Sequence, residues 1–346
     1  MLLRRRQFVA WGASALAGCA AAPARLAGHT VIGFASCTEQ SHPQPMWDTI
    51  LAQRPDFFVF AGDNVYADRP PFSLAVLRDA YAMQEAVPGF ARLRATVPHM
   101  AIWDDGDYGE NDGGADFAFK QPSKDEFLKF WRAPADDPRR AREGLYDARM
   151  VAGRVQVIVL DTRWFRSPLK RTDERNAPGK ERYVPDADPA KTMLGPQQWA
   201  WLEEQLRQPA DLRLIVSSVQ VVADGHGWER WGNLPLERQK LYDLVKRTRA
   251  NGIVFLSGDR HIGAIYRETD GTPYPLHDIT SSGVTHSFES NNEAGPNRVG
   301  PPFTGLNFGT VDVDWAARTV ELAVRDIRGA KRRAQSIHLD ELKAPT

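Results

Sequence analysis

Four short segments of the sequence carry side chains that bind metal ions or transfer protons, and each follows a predicted β-strand. They are residues 36–37, 62–68, 104–108 and 258–261, and between them they hold a thiol, several carboxylates, phenols and an imidazole. In open α/β sheets, ligands bind beyond the carboxyl ends of the strands, where side chains from separate connections meet. We therefore expect these four segments to form one site.

The chemistry of these side chains favours a metal centre. Carboxylates that crowd together repel one another, and a buried carboxylate without a partner is costly. Bound cations would remove both penalties, and carboxylate, thiolate and imidazole are ordinary ligands of Lewis-acid and redox-active metals. A carboxylate shared between two metal ions is suited to hydrolysis. The segments therefore predict a site for metal-assisted hydrolysis.

The elements that must position the site alternate between strands and amphipathic helices, which predicts an α/β fold. The predicted strands are 31–36, 56–61, 97–103, 155–160, 212–219 and 253–257. The predicted helices are 45–53, 73–85, 124–132, 195–208 and 235–250. Residues 309–313, 319–324 and 334–338 alternate without helices between them, so they predict an antiparallel extension of a sheet. Two long Pro- and Gly-rich segments, 168–196 and 283–305, are expected to shape the mouth of a cleft.

Six ordered motifs make the functional prediction specific. They are FASC (34–37), GDNVYAD (62–68), WDDGDYGEND (103–112), LDTRWFR (160–166), SSVQV (217–221) and SGDRH (257–261). In this order and spacing the chain resembles the alkaline phosphatase D (PhoD-like) family of calcineurin-like metallophosphoesterases, over residues 31–327 or so. The resemblance implies a four-layer α/β/β/α sandwich, formed by a single catalytic domain over residues 29–340.

The resemblance also implies a set of metal ligands: Cys37, Asp63, Tyr66, Asp105, Asp259 and His261. Asp63 would bridge the ions of a two-metal or three-metal site, Cys37 and Tyr66 would hold a ferric ion, and Asp105 would hold the second metal. Asp259 and His261 would stand where the wider superfamily carries a closing pair of histidines. The implied metals are iron and calcium, or another divalent pair. The alternatives are that Cys37 and Tyr66 only pack in the core and that His261 is a core histidine.

The substrate side is predicted from the same motifs, and the expected substrate is a phosphorylated small molecule. The candidates for substrate contact are Asn64, Arg163, Gln220 and His226. Arg163 is also a candidate catalytic residue beside Asp63, Asp105 and His261, because a guanidinium matches phosphoryl oxygens. Its alternative role is an ion pair with Asp161 or Asp104.

One position departs from the family pattern. Members usually have WDDHD, whereas this chain has glycine at position 106. The resemblance implies that the missing imidazole lies over the phosphate and protonates the leaving group, and such general acid catalysis contributes about 10²–10⁴-fold. Three outcomes are open: slow hydrolysis of esters with good leaving groups, replacement of the imidazole by another group such as His226, or loss of catalysis with retention of binding. We favour slow hydrolysis and expect Gly106→His to raise turnover.

The first 28 residues are predicted to be an export signal. Arginines at 4–6 precede a short apolar stretch, which resembles a twin-arginine signal, and the stretch is too short to span a membrane. Residues 16–19 resemble a lipobox, so Cys19 is expected to carry a lipid as the first residue of a mature protein in the periplasm. Cleavage near Ala22 or Ala27 would instead release a soluble periplasmic protein.

The charge balance limits the partners that we expect, and two rival functions can be weighed against the proposed hydrolysis. Lysine plus arginine equals aspartate plus glutamate at 44 each, which gives no reason to expect nucleic acid or an anionic membrane surface as a partner. We expect a monomer whose membrane contact is limited to a lipid at Cys19. The main rival is a non-catalytic lipoprotein that binds phosphorylated ligands or metal. A serine hydrolase is disfavoured because no Gly-x-Ser-x-Gly motif is present.

Overall fold

Short apolar runs form the central strands, and the side chains of most of them are buried on both faces, as expected for strands covered on two sides. The computed structural model describes residues 28–344. The strands are β1 His29–Ala35, β2 Phe57–Ala61, β3 His99–Ile102, β4 Asp147–Val151, β5 Val155–Val159, β6 Leu212–Ser217, β7 Ile253–Ser257, β8 Gly263–Glu268, β9 Leu276–Ser281, β10 Asn307–Asp314, β11 Thr319–Asp326 and β12 Lys331–His338. The α-helices are α1 Met46–Ala52, α2 Leu74–Glu85, α3 Pro88–Thr96, α4 Asp105–Tyr108, α5 Lys120–Phe130, α6 Gly195–Leu206 and α7 Pro235–Thr248.

The strands form two six-stranded mixed sheets. The first has the order β12-β11-β10-β1-β2-β3, and the second has the order β4-β5-β6-β7-β9-β8. β1, β2 and β3 are parallel, and so are β5, β6, β7 and β9, whereas the remaining pairs are antiparallel. An isolated parallel bridge between Ser36 and Ser282 joins the end of β1 to the end of β9. The carboxyl ends of strands from both sheets therefore meet at one rim.

The sheets face each other and helices cover their outer sides. β9 of the second sheet contacts β10 and β11 of the first. Trp47 of α1 and Phe90 of α3 pack their rings against Phe60 of β2. On the opposite side, the Gln156 amide of β5 donates a hydrogen bond of 3.1 Å to the Gln205 carbonyl of α6. These contacts confirm the predicted four-layer α/β/β/α class.

The sequence located most central elements to within a few residues and missed five. Each predicted strand and helix overlaps an observed one, and the C-terminal strands are antiparallel as expected. The strand predicted over 97–103 is shorter, because α3 runs to Thr96 and Val97 caps it. The elements that were not predicted are α3, α4, β4, β8 and β9. The strand β9 was missed because buried polar residues, among them Asp278 and Thr280, interrupt its apolar pattern.

The predicted export signal, including Arg4–Arg6 and Cys19, lies outside the described residues. Within residues 28–344, no helix combines the length and apolar character that crossing a membrane would require.

Candidate metal centre

The site forms where three loops leave their strands in a left-handed backbone conformation. Cys37 after β1 has φ 65°, Asp63 after β2 has φ 49°, and Asp259 and His261 after β7 have φ 66° and 53°. Residues other than glycine seldom adopt positive φ, and such conformations cluster at functional sites. All four residues are predicted metal ligands, so the unusual positive φ angles occur at positions where the sequence predicts metal binding.

One oxygen of Asp63 is the meeting point of a first group of donors. Its Oδ2 accepts hydrogen bonds from the Tyr66 hydroxyl at 2.9 Å and from the Cys37 thiol at 3.4 Å. The Tyr66 hydroxyl also lies 3.2 Å from Nε2 of His261. Donor atoms of Cys37, Asp63 and His261 lie within 4.8 Å of one another. The structure thus brings these four predicted ligands together.

The other oxygen of Asp63 faces the Asp105 loop. Its Oδ1 accepts a hydrogen bond of 2.9 Å from the amide of Gly106. Carboxylate oxygens of Asp63, Asp104 and Asp105 lie within 4.8 Å of one another, and those of Asp105, Asp112 and Glu229 do the same. Asp63 and Asp105 therefore link three adjoining groups of donors, an arrangement that suits more than one metal ion.

A cavity of about 110 Å³ opens onto these groups. Its walls include the carboxylates of Asp63, Asp105 and Asp259 and the imidazole of His261. Asp259, also a predicted ligand, thus faces the same space as the bridging Asp63. Cys37 is fully buried behind them.

The electrostatics of this cavity favour a bound cation. Burial, followed by the nearby carboxylates, raises the pKa of Asp63 and of Asp259 well above the usual range. Burial and the charge of Asp63 also raise the pKa of the Cys37 thiol and of the Tyr66 phenol. Within residues 28–344, Asp63, Asp105 and Asp259 make no salt bridge to a lysine, arginine or histidine. A set of thiol, phenol, carboxylate and imidazole donors without its own cation fits a bound metal ion.

A second group of buried charges contains Arg163 and adjoins the cavity, which one of its members, Glu229, lines. The Nε of Arg163 donates a 2.6 Å hydrogen bond to Asp104, and its Nη2 lies 2.7 Å from a carboxylate oxygen of Glu229. Arg166 binds the other oxygen of Glu229 at 2.9 Å. The side chain of Arg163 is fully buried, so the structure places it in the ion pair with Asp104 and not in the cavity.

The other predicted substrate residues are held in the interior as well. Asn64 donates hydrogen bonds to the Ile102 carbonyl at 2.9 Å and to Asp107 at 2.6 Å. Gln220 donates to the hydroxyls of Tyr266 at 3.1 Å and Thr280 at 2.8 Å. His226 is buried and its Nε2 lies 3.0 Å from the Gln220 amide oxygen. None of the three lines the cavity.

The buried position of His226 thus gives no support to its replacing the imidazole that is absent at position 106. Position 106 itself leaves little room for a side chain. A Cβ atom on Gly106 would lie 2.8 Å from the Asp63 carboxylate and 2.8 Å from the backbone carbonyl of Val65. Contacts this short require the backbone to move. This packing argues against the expectation that Gly106→His raises turnover.

Several residues of the site were not found from the sequence. Asp112, Arg182, Trp228 and Phe288 line the cavity, and His286 lies next to Tyr66 and His261. His286 follows β9, so the rule that found the other ligands at strand ends would have found it if β9 had been predicted. Arg182 and Phe288 come from the two long loops that were expected to form the cleft mouth.

The two facing sheets, the outer helices and the metal-ligand groups at the strand ends define a metallophosphoesterase-type α/β protein. A sequence model of the family described as PhoD-like phosphatase matches residues 32–295, and the chain belongs to that family. The chain is also 21% identical over 283 residues to alkaline phosphatase D of Bacillus subtilis (strain 168), covering 69% of this chain and 47% of the relative. It therefore spans about half the length of that relative.

Solved structures show the same fold. The structure described as that of PhoD superposes with a TM-score of 0.72 at 15% identity, over 91% of this chain and 69% of the other. The purple acid phosphatase PPD1 from yellow lupin (Lupinus luteus) seeds superposes with a TM-score of 0.59 at 11% identity, over 92% of this chain and 56% of the other. The family resemblance and the fold class predicted from the sequence are confirmed.

Proposed function

We propose that the chain is a phosphoric ester hydrolase that depends on bound metal ions. The observation that carries this proposal is the convergence of Cys37, Tyr66, Asp105 and His261 on Asp63, a buried carboxylate without a cation of its own. Membership of the PhoD-like phosphatase family supports it. When bound, metal ions supply Lewis-acid activation of water and of the phosphate.

The donor types suggest which metals bind where. Cys37, Tyr66 and His261 offer sulfur, phenolate oxygen and nitrogen, which suit iron or another transition metal. Asp105 and Asp112 offer carboxylate oxygens, the ligands that calcium prefers. We assign iron to the first group and calcium or another divalent ion to the second, with Asp63 between them.

Residues around the cavity orient the Asp63 carboxylate and offer a contact for the phosphate. The amide of Gly106 holds one oxygen of Asp63 toward the Asp105 side, while Tyr66 holds the other toward Cys37. Arg182 lines the cavity, pairs with Asp112 at 2.8 Å, and remains about one-third exposed, so it can contact a phosphoryl oxygen. We infer that Arg182 takes the phosphate-contacting role that the sequence predicted for Arg163.

The absence of an imidazole at position 106 limits the substrates. Without a proton donor there, departure of the alcohol depends on its own acidity. Esters with good leaving groups, such as aryl phosphates, are therefore the preferred substrates, and turnover is slower than in relatives that have the histidine.

A larger cavity beside the metal centre would accommodate the organic part of the ester. It has a volume of about 570 Å³ and shares Trp228 and Phe288 with the smaller cavity. The rest of its lining includes three asparagine side chains and the carboxylates of Glu181 and Glu293. The volume would also hold the second organic group of a phosphodiester, so we propose that the substrates include diesters as well as monoesters. We expect Trp228→Ala to raise KM for a bis-aryl phosphate about tenfold, the scale of losing one aromatic contact, with little change in kcat. Equal effects on kcat and kcat/KM would contradict this substrate-binding role.

Export and anchoring stand as a further part of the proposal, supported by the arginines at 4–6 and by Cys19. We expect a Cys19→Ser variant of the full chain to leave the membrane fraction. A membrane-bound Cys19→Ser protein would contradict the lipid anchor.

Metal removal tests the proposed activity. Purified protein should contain metal by elemental analysis and should hydrolyse an aryl phosphate monoester or a bis-aryl diester. Chelation should abolish turnover, and iron with calcium should restore it. Tight binding of phosphorylated compounds with no turnover under any metal condition would instead establish the non-catalytic alternative.

A further inference from the structure

His286 points its ring into the first group of metal ligands. Its Nε2 lies 3.4 Å from the Tyr66 hydroxyl and 3.2 Å from Nε2 of His261. It comes from the loop after β9, which Ser36 and Ser282 join to the end of β1. The hydroxyl of Ser282 lies 2.9 Å from the Cys37 sulfur and accepts a hydrogen bond of 2.7 Å from the backbone amide of His261. The loop that carries His286 is thus connected to two of the predicted ligands.

The neighbour of His286 in sequence determines which ring nitrogen carries the proton. The Thr285 hydroxyl donates its single hydrogen to the Cys37 carbonyl at 3.1 Å, since that oxygen can only accept. The hydroxyl oxygen accepts from the Glu39 amide at 2.8 Å and lies 2.9 Å from Nδ1 of His286. With the hydroxyl hydrogen on the Cys37 carbonyl, Nδ1 is the donor in this contact. We therefore assign the proton to Nδ1, which leaves a lone pair on Nε2 facing Tyr66 and His261.

Hydrogen bonding from one ring nitrogen to a fixed acceptor is the way proteins orient a histidine that binds metal through the other nitrogen. Here two imidazole nitrogens and a phenol oxygen converge within 3.4 Å of one another. If the lone pairs of both histidines face each other, a cation between them is the favourable occupant.

We propose that His286 is an additional ligand of the ion that Cys37, Asp63, Tyr66 and His261 hold. This inference rests on the proposed metal-dependent function and deepens it. Two nitrogens, two oxygens and a sulfur form a donor set for iron or another transition metal, and not for calcium. Thr285 is the positioning residue that keeps Nε2 free to bind.

The test measures metal binding and does not require turnover. Metal-free protein is loaded with ferric iron, and its affinity is measured by competition with a chelator, together with the visible charge-transfer band of the Tyr66 phenolate. His286→Ala should lower the affinity about 10- to 100-fold or more and shift the band. Thr285→Val should change both in the same direction by a smaller amount.

A matched control is available in His42, an exposed histidine whose ring packs edge-on against His286 with 6.1 Å between ring centroids. His42→Ala should leave affinity and band unchanged. If His286→Ala fails to fold, judged by circular dichroism, His286→Asn replaces it.

The outcomes separate this inference from the function on which it rests. If wild-type protein binds iron, Asp63→Asn loses it, and His286→Ala retains wild-type affinity and band, then the His286 inference alone is wrong. If the wild-type protein itself fails to bind iron, the proposed metal centre fails and the inference fails with it.

Discussion

Two groups of buried charges lie side by side in this protein, and they are balanced differently. The rear group pairs Asp104 and Glu229 with Arg163 and Arg166. The front group is centred on Asp63 and contains acids and neutral donors. Its carboxylates Asp63, Asp105 and Asp259 make no ion pair with a cation of the described chain. A buried charge must be paired or neutralised. The rear group is therefore complete as a structure, whereas the front group is complete only with bound metal.

The pKa values follow the same division. Burial raises the pKa of Asp104 only to about 6, because Arg163 opposes the effect. Burial raises the pKa of Glu229 to about 7, again against Arg163 and Arg166. For Asp63, burial and the neighbouring carboxylates act in the same direction, and the pKa rises well above its usual range. In metal-free protein the front group is therefore expected to hold protons that metal ions displace.

The largest expected effect comes from neutralising the front group. Asp63→Asn should lose bound metal and lower kcat/KM for an aryl phosphate by about 10³-fold or more, the scale lost when preorganised electrostatic stabilisation is removed. The same substitution should leave metal-free protein as stable as the wild type or more stable, because a buried acid disappears. Elemental analysis, kinetics and urea unfolding check the three parts. Retention of wild-type metal content would contradict the bridging role.

Breaking the rear group should have the opposite pattern. Arg163→Met leaves Asp104 and Glu229 buried without this partner, and removal of one member of a buried ion pair costs about 3–5 kcal/mol of unfolding free energy. Urea unfolding of metal-free protein measures the loss. If Arg163 instead served mainly to bind phosphate, stability would stay near the wild-type value and KM would rise.

Position 106 tests how tightly the front group is packed. Gly106→Ala should weaken metal affinity, because the added methyl group displaces the Asp63 carboxylate or the Val65 carbonyl, and overpacking of this kind costs about 1–3 kcal/mol. Gly106→His should do the same and give no gain in turnover. A faster Gly106→His enzyme that retains its metals would show that the loop adjusts to the imidazole.

The smallest expected effect is on the pH dependence of the free energy of unfolding. Since the folded state raises the pKa of Asp63 above its ordinary 3.8, folded wild-type protein binds this proton where the unfolded chain does not, and its stability falls as pH rises from about 4. Asp63→Asn lacks this loss. In the absence of metal, its stability relative to wild type should therefore grow with pH, by at most about 1.4 kcal/mol per pH unit. A difference that is flat between pH 4 and 8 would mean that Asp63 titrates normally.

Strand ends were the part of the site that the sequence could reveal. Cys37, Asp63 and His261 follow strands whose apolar runs are continuous, so both the strand and its loop were recognisable. His286 was missed because β9 contains buried polar side chains and lacks such a run. The absent imidazole at position 106 was visible as a departure from the family pattern.

The sequence could not show which residues the charged side chains contact, because these contacts depend on the three-dimensional structure. Arg163 was expected at the phosphate or in an ion pair, and only its burial between Asp104 and Glu229 distinguishes these roles. Arg182 comes from a long loop without periodicity, so no local pattern linked it to the cavity. The contact of Gly106 with Asp63 depends on the approach of two loops that are far apart in sequence.

Proton release on metal binding tests the central claim most directly. Metal-free protein is titrated with ferric iron and then calcium by calorimetry in two buffers that differ in ionisation enthalpy. Because Cys37, Asp63, Tyr66 and Asp259 all have raised pKa values, binding at neutral pH should release roughly two to four protons per protein molecule. Heats that are identical in both buffers, or the absence of binding, would contradict the account.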